Sequence, residues 1–238
     1  AVQIMGWGEQ GLLKVKTDAR YRLVPDELEL CKAEAERQGR RLIAVVASAC
    51  STATGSYDPI APIADFCERH GLWLHIDGAH GASALLSAKY RGLLEGIARA
   101  DSVTWDAHKM LMMPALSTGI VFRDGAVARR LFAQEASYLF LADEPWSDLG
   151  HRTIECTKRL MAMPLYVCLA TYGEGLLAEH VTSCYDLARD FAAAITARPS
   201  FELAVEPEAN IVCFRYLPEP LRGAGGERSG PRRLPARA

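Results

Sequence analysis

No apolar run in the 238-residue sequence reaches the ~18–20 residues that a membrane span needs. No basic stretch leads into an apolar one in the manner of a signal peptide. The seven cysteines, at 31, 50, 67, 156, 168, 184 and 213, include no CxxC pair. Their odd count and irregular spacing fit neither a zinc ribbon nor a redox motif. Charge of one sign is also scarce, with 27 basic against 29 acidic residues and a net charge of −2. Residues 217–238 hold five Arg and two Glu, so the body ahead of them is acidic. That argues against nucleic acid as the main partner. GAGG at 223–226 follows no strand and opens no helix, so it is not a phosphate loop. Internal repeats are absent.

What is present is globular. Half of the residues are hydrophobic and 24% are charged, which supplies a core and excludes a disordered or collagen-like chain. The length suits one large domain or one and a half. Most cysteines lie in apolar stretches and read as reduced core residues of a cytoplasmic protein.

Two kinds of segment alternate up to about residue 125. Leu12–Lys16, Leu42–Ala47, Leu72–Ile76, Ser102–Trp105 and Thr118–Phe122 read as strands. LIAVVA at 42–47 has the continuous apolar pattern of a strand buried on both faces. Pro25–Arg37, Ile60–His70 and Ala88–Arg99 read as helices, the first with Pro and acidic residues in its opening turn. The alternation implies an α/β layer with a mostly parallel sheet. Helix then dominates: Ala126–Glu135, Thr153–Met163 up to Pro164, and a stripe of Leu177, Val181, Cys184, Leu187, Phe191 and Ile195 read as core. Phe201–Val205 and Ile211–Tyr216 read as late strands. The expected division is 1–150 as a large domain, 151–217 as a linking helix and part of a smaller one, and 218–238 as a disordered Arg/Pro/Gly-rich tail.

Chemistry concentrates where buried strands end, the edge at which α/β sheets bind ligands. Three stretches stand there: Ser51-Thr52, His75-Ile76-Asp77-Gly78-Ala79-His80 and Asp106-Ala107-His108-Lys109. A carboxylate at Asp77 is costly to bury without a cation or several donors. A lysine such as Lys109 becomes a Schiff-base nucleophile once desolvated. An acid facing such a lysine, with small residues between, suits pyridoxal phosphate, which needs a Lys for its aldehyde and an Asp for its pyridinium nitrogen. Each residue also has a plainer reading. Asp77 is a candidate helix N-cap, Lys109 a solvated lysine, and His75, Asp77 and His80 an incomplete metal set.

Taken together, ACSTATGSYDPI (49–60), LWLHIDGAHG (72–81), DSVTWDAHKMLM (101–112), TIECTKR (153–159) and NIVCFRY (210–216) resemble the group II pyridoxal-phosphate-dependent amino-acid decarboxylases. These act on glutamate, cysteine sulfinate, 2,4-diaminobutyrate and aromatic amino acids. The similarity runs from about residue 5 to 217, and HKM preceded by SVTW leans toward the glutamate/cysteine-sulfinate branch. The resemblance implies a partial large domain of the aspartate-aminotransferase-like fold (fold type I) and part of a small C-terminal α+β domain. It implies pyridoxal 5'-phosphate as cofactor, an L-amino acid as substrate, and a homodimer at full length, with no membrane or nucleic-acid partner. Lys109 would form the Schiff base, Asp77 would pair with the pyridine nitrogen and Ala79 would pack on the ring. Thr52 would hydrogen-bond near the ring oxygen or substrate carboxylate, and His108 would lie near the phosphate or substrate.

Three features depart from the family. Its glycine/serine-rich phosphate loop and ring-stacking histidine are expected ahead of Ala1, so the sequence reads as a fragment. Leu139–His151 stands in place of a mobile loop whose tyrosine returns a proton to Cα, with Trp146 near the tyrosine's position and Tyr138 upstream. The tail after residue 217 does not resemble the family. Decarboxylation therefore competes with two alternatives: a silent remnant or half-subunit acting only by dimerisation, and a pyridoxal-phosphate-dependent aldehyde synthase.

Overall fold

The computed structural model describes residues 2–132, 153–154 and 158–219. At its centre lies a four-stranded sheet of β1 (Ala44–Ser48), β2 (Trp73–Asp77), β3 (Ser102–Asp106) and β4 (Thr118–Phe122), in that order. β1, β2 and β3 run parallel, and β4 returns antiparallel to β3. The registers align Ser48 with Asp77 and Asp77 with Thr104, so the chain leaves β1, β2 and β3 along one edge.

Helix α1 (Glu27–Arg37) precedes the sheet, and α2 (Ile60–His70) connects β1 to β2. Ile60, Ile63, Phe66 and Cys67 of α2 join Val45, Ala47, Leu74 and Ile76 in one hydrophobic cluster. α2 stops at Gly71, whose φ of 61° is the left-handed conformation that glycine adopts without a Cβ penalty. The four-residue α3 (Ala107–Met110) follows β3 directly, and α4 (Gly125–Phe132) follows β4. The long α5 (Met163–Thr196) is interrupted at Gly173, which has a φ of 72°. β5 (Phe201–Leu203) and β6 (Phe214–Tyr216) form a separate antiparallel pair.

Several expectations change. Leu12–Lys16 is not a strand; its neighbourhood forms only an isolated bridge between Thr17 and Leu23. β1 is not buried on both faces, because it is the edge strand of the described sheet and Val46 is 59% exposed between buried Val45 and Ala47. Ala88–Arg99 forms two short 3-10 turns, Arg91–Leu94 and Ile97–Arg99, separated by Gly96 at a φ of 90°. Pro164 does not end a helix but sits in the first turn of α5, where its missing N–H costs nothing. The buried face of α5 is Leu177, Val181, Tyr185, Ala188, Ala192 and Ile195, whereas Leu187 and Phe191 are exposed. Of the described cysteines, Cys50 and Cys67 are buried and the other four lie partly exposed. Among the described residues no helix is long and apolar enough to cross a membrane. The expectations for Leu139–His151, Tyr138, Trp146, the end of Ala126–Glu135 and residues 220–238 lie outside the described residues.

Candidate active site

Side chains alternate across a strand, so Leu74 and Ile76 of β2 face the core while His75 and Asp77 share the opposite face. Asp77 closes β2 with its side chain exposed, and its Oδ1 accepts the Ala79 N–H at 3.2 Å. That bond caps the turn after β2. The 3-10 turn at Gly81–Leu86 has His80 at its N-cap, so Asp77 is not a helix cap. A Cβ on Gly78 would lie 2.8 Å from Ala82 Cβ and 2.9 Å from the Thr104 carbonyl, so the chain passes flat against β3 there. Half-buried Ala79 continues this small-residue floor, and its carbonyl accepts the Asp106 N–H at 3.1 Å.

Lys109 lies in α3, one turn beyond the end of β3, with its side chain 40% exposed. Its Nζ meets Asp106 Oδ2 at 3.0 Å, and Asp106 is buried. His108 Nε2 lies 3.8 Å from the same oxygen. The other ring nitrogen, Nδ1, sits 3.0 Å from the Ser117 carbonyl and 3.1 Å from the Ser117 N–H, and the tautomer decides which it bonds. Either bond ties α3 to the chain entering β4.

Cys50 is buried in the loop after β1. Burial pushes its thiol up to about 12, Glu208 and Asp77 add to the rise, and Lys109 opposes it. Thr52 is exposed in the same loop. The loop is anchored from far along the chain. Glu208 accepts the Tyr57 N–H at 2.8 Å and pairs with Arg20 at 2.8 Å. The Tyr57 hydroxyl donates to the Gly81 carbonyl at 3.0 Å and meets the Tyr185 hydroxyl at 2.6 Å. His80 Nε2 meets Asn210 Oδ1 at 2.7 Å. His75 turns instead to Ser102 Oγ at 2.8 Å and Thr104 Oγ1 at 3.2 Å. His75, Asp77 and His80 therefore bond to different partners and do not converge as ligands.

The structure brings Asp77, Ala79, His108 and Lys109 to one edge, with Thr52 on the adjoining loop. Sequence reasoning gave no role to Asp106, although its i, i+3 spacing to Lys109 was visible in DAHK. It also missed Cys50, Glu208 and Asn210, whose partners are distant in sequence.

Residues 3–217 match the family model described as "Pyridoxal-dependent decarboxylase conserved domain". An acidic amino acid decarboxylase of Bos taurus is 38% identical over 226 residues, covering 93% of this chain and 43% of its own length. Cysteine sulfinic acid decarboxylase of Homo sapiens is 37% identical over 223 residues, covering 92% and 45%. The chain therefore spans less than half the length of these curated relatives. The crystal structure of mouse CSAD in apo form superposes with a TM-score of 0.86 at 35% identity, over 94% of this chain and 47% of that one. Oryza sativa TDC with PLP and tryptamine gives 0.82 at 26% identity, over 90% and 45%.

Proposed function

The chain belongs to the pyridoxal-dependent decarboxylase family, and on that premise we propose that the protein it comes from releases the α-carboxylate of an L-amino acid as CO2, using pyridoxal 5'-phosphate. Its mixed sheet flanked by helices is the fold-type I architecture. The observation that carries the proposal is the exit of Asp77 and Lys109 at the same end of adjacent parallel strands.

The residues fit the cofactor. An exposed amine and an exposed carboxylate stand at one sheet edge, beside the small residues Gly78 and Ala79. When bound, the cofactor supplies an aldehyde for the amine and an electron sink for the pair left by the carboxylate. Lys109 would hold it covalently through Nζ. Asp77 would keep a proton on the ring nitrogen, an electrostatic contribution set before reaction. Ala79 would pack on the ring face, Thr52 would bond near the ring oxygen or substrate carboxylate, and His108 would serve the phosphate or substrate side. The two curated relatives, named for acidic substrates, support an acidic side chain on the amino acid.

We extend the proposal to the whole protein as a cytoplasmic homodimer. The described cysteines, all free, support a reducing compartment. We also divide the chain at 150 and 217, a reading supported by the separate β5–β6 pair.

The test is the visible spectrum of the chain titrated with pyridoxal 5'-phosphate. We expect an imine band in the wild type that is lost in Lys109→Ala. No band at saturating cofactor would instead favour the silent remnant.

A further inference from the structure

We propose that Glu208 is a positioning residue for the candidate site: from the link between β5 and β6 it fixes the loop after β1, on which Thr52 stands. The inference rests on the reading of that loop as one side of the cofactor site.

The loop runs from Ala49 to Tyr57. Its rim at Thr52 and Ala53 is exposed, whereas residues 54–57 are buried. Within it, the Ser51 N–H donates to the Ser56 carbonyl at 2.9 Å and the Gly55 N–H to the Ser51 carbonyl at 2.8 Å. These bonds close the loop on itself, so its placement on the sheet is set at its two ends. At the start, the Ala49 N–H donates to the Asp77 carbonyl at 2.8 Å. Past the end, the Asp58 N–H returns the chain to the Ser48 carbonyl at 3.0 Å. The last donor of the loop itself, the Tyr57 N–H, goes to Glu208 Oε2 at 2.8 Å, across 151 positions of sequence. Tyr57 is buried, and a buried N–H without an acceptor is costly.

Glu208 is placed to hold that bond in one direction. Its side chain is only 12% exposed, and its other oxygen, Oε1, pairs with the Arg20 guanidinium at 2.8 Å and lies 3.9 Å from Arg22. Arg22 is fixed in turn by Asp18 Oδ2, which accepts its Nε–H at 2.9 Å and an Nη2–H at 2.8 Å. One carboxylate oxygen is thus spent on the loop and the other on the chain ahead of α1, and a charged acceptor makes the stronger bond to the loop. The rest of the link packs on the same loop. A Cβ on Gly55 would lie 3.1 Å from Ile211 Cβ and 3.3 Å from Ala209 Cβ. Asn210 Oδ1 lies 2.7 Å from His80 Nε2, on the turn that follows Ala79. The Ala204 N–H donates to the Cys213 carbonyl at 2.9 Å and closes the link at its base. A short closed link therefore grips the loops after β1 and β2 together, with Glu208 as its contact to the loop of Thr52.

The experiment is backbone hydrogen exchange of the full 238-residue chain without cofactor, followed by mass spectrometry in wild type, Glu208→Ala and Glu208→Gln. In Glu208→Ala, exchange over 49–57 is expected to rise by about 10-fold, the ratio that a hydrogen bond to a charged group contributes to a local opening. Exchange over α2 and β3 should stay within about twofold of wild type, because their bonds do not pass through Glu208. Glu208→Gln keeps an oxygen for the Tyr57 N–H and should hold the loop within about threefold of wild type. Unchanged exchange over 49–57 in a folded Glu208→Ala overturns the proposal. So does an equal rise in every segment, which would mean only a less stable fold, and so does a Gln variant as loose as the Ala variant. Should Glu208→Ala fail to fold by circular dichroism, Glu208→Met keeps the stem without an acceptor and is read in the same way. The same proteins are then titrated with pyridoxal 5'-phosphate. Glu208→Ala should need about 10-fold more cofactor for half-saturation of the imine band, following the loosened loop, with Glu208→Gln near wild type. A loosened loop with wild-type affinity overturns the positioning role. No imine band in the wild type would count against the cofactor reading and leave the exchange result to judge the bracing of the loop.

Discussion

At the scale of single residues, the candidate site depends on small side chains as much as on reactive ones. Gly81 shows why. A Cβ there would fall 2.5 Å from the Tyr57 hydroxyl and 2.6 Å from the Ala49 carbonyl. Neither can yield easily, since Tyr57 is buried and the Gly81 N–H bonds that same carbonyl at 2.9 Å. Gly81→Ala is therefore expected to lower stability by about 1–3 kcal/mol, the usual cost of forcing a methyl group into a filled site. Urea denaturation would show it as a lower midpoint at an unchanged slope. Lys109 and Asp77 have the opposite character. Their side chains are exposed, so substitution there should disturb cofactor binding far more than folding.

At the scale of elements, β2 and β3 present a polar face joined by His75, Ser102 and Thr104. Burial lowers the His75 pKa below its ordinary 6.5, with nearby Asp77 working in the opposite direction. The imidazole is therefore held neutral in the fold and protonates more readily when unfolded. The sign follows: the unfolded chain binds more protons just below the ordinary value, so this contribution is present above about pH 6.5 and is lost as pH falls through the folded value. His75→Gln should flatten that part of the acid-side decline in melting temperature. Thermal unfolding of both proteins between about pH 7 and 5 would check it, and parallel curves would count against it.

At the scale of the whole molecule, α5 reaches back to the loops at the sheet edge. Tyr57 and Tyr185, 128 positions apart, join their hydroxyls at 2.6 Å in the core. Burial raises the pKa of both, which keeps them as phenols. Tyr57 donates to the Gly81 carbonyl, so it is the Tyr185 hydroxyl that donates to Tyr57. Tyr57→Phe leaves a buried donor and a carbonyl without partners, and should cost about 1–3 kcal/mol. Tyr185→Phe leaves only an acceptor unmet and should cost about 1 kcal/mol. Equilibrium unfolding of the two variants would rank them, and the reverse order would refute this assignment of donors.

The alternation of β-branched runs with amphipathic segments was enough to read β1 to β4, α1 and α2, because burial repeats with the period of each element. The quoted motifs likewise placed Asp77, Ala79, Lys109 and their neighbours at strand ends without any coordinates. Strand and helix boundaries were less legible: Pro164 begins a helix rather than ending one, and Gly96 splits a segment whose composition reads as helical. Local pattern decided the elements because propensity and periodicity act between near neighbours in the chain. Only the tertiary structure decided what meets at the sheet edge. The register of β2 with β3, the return of Glu208, Asn210 and Tyr185 to the loops, and the burial of one Asp106 oxygen depend on packing between distant segments, which no local window of sequence encodes.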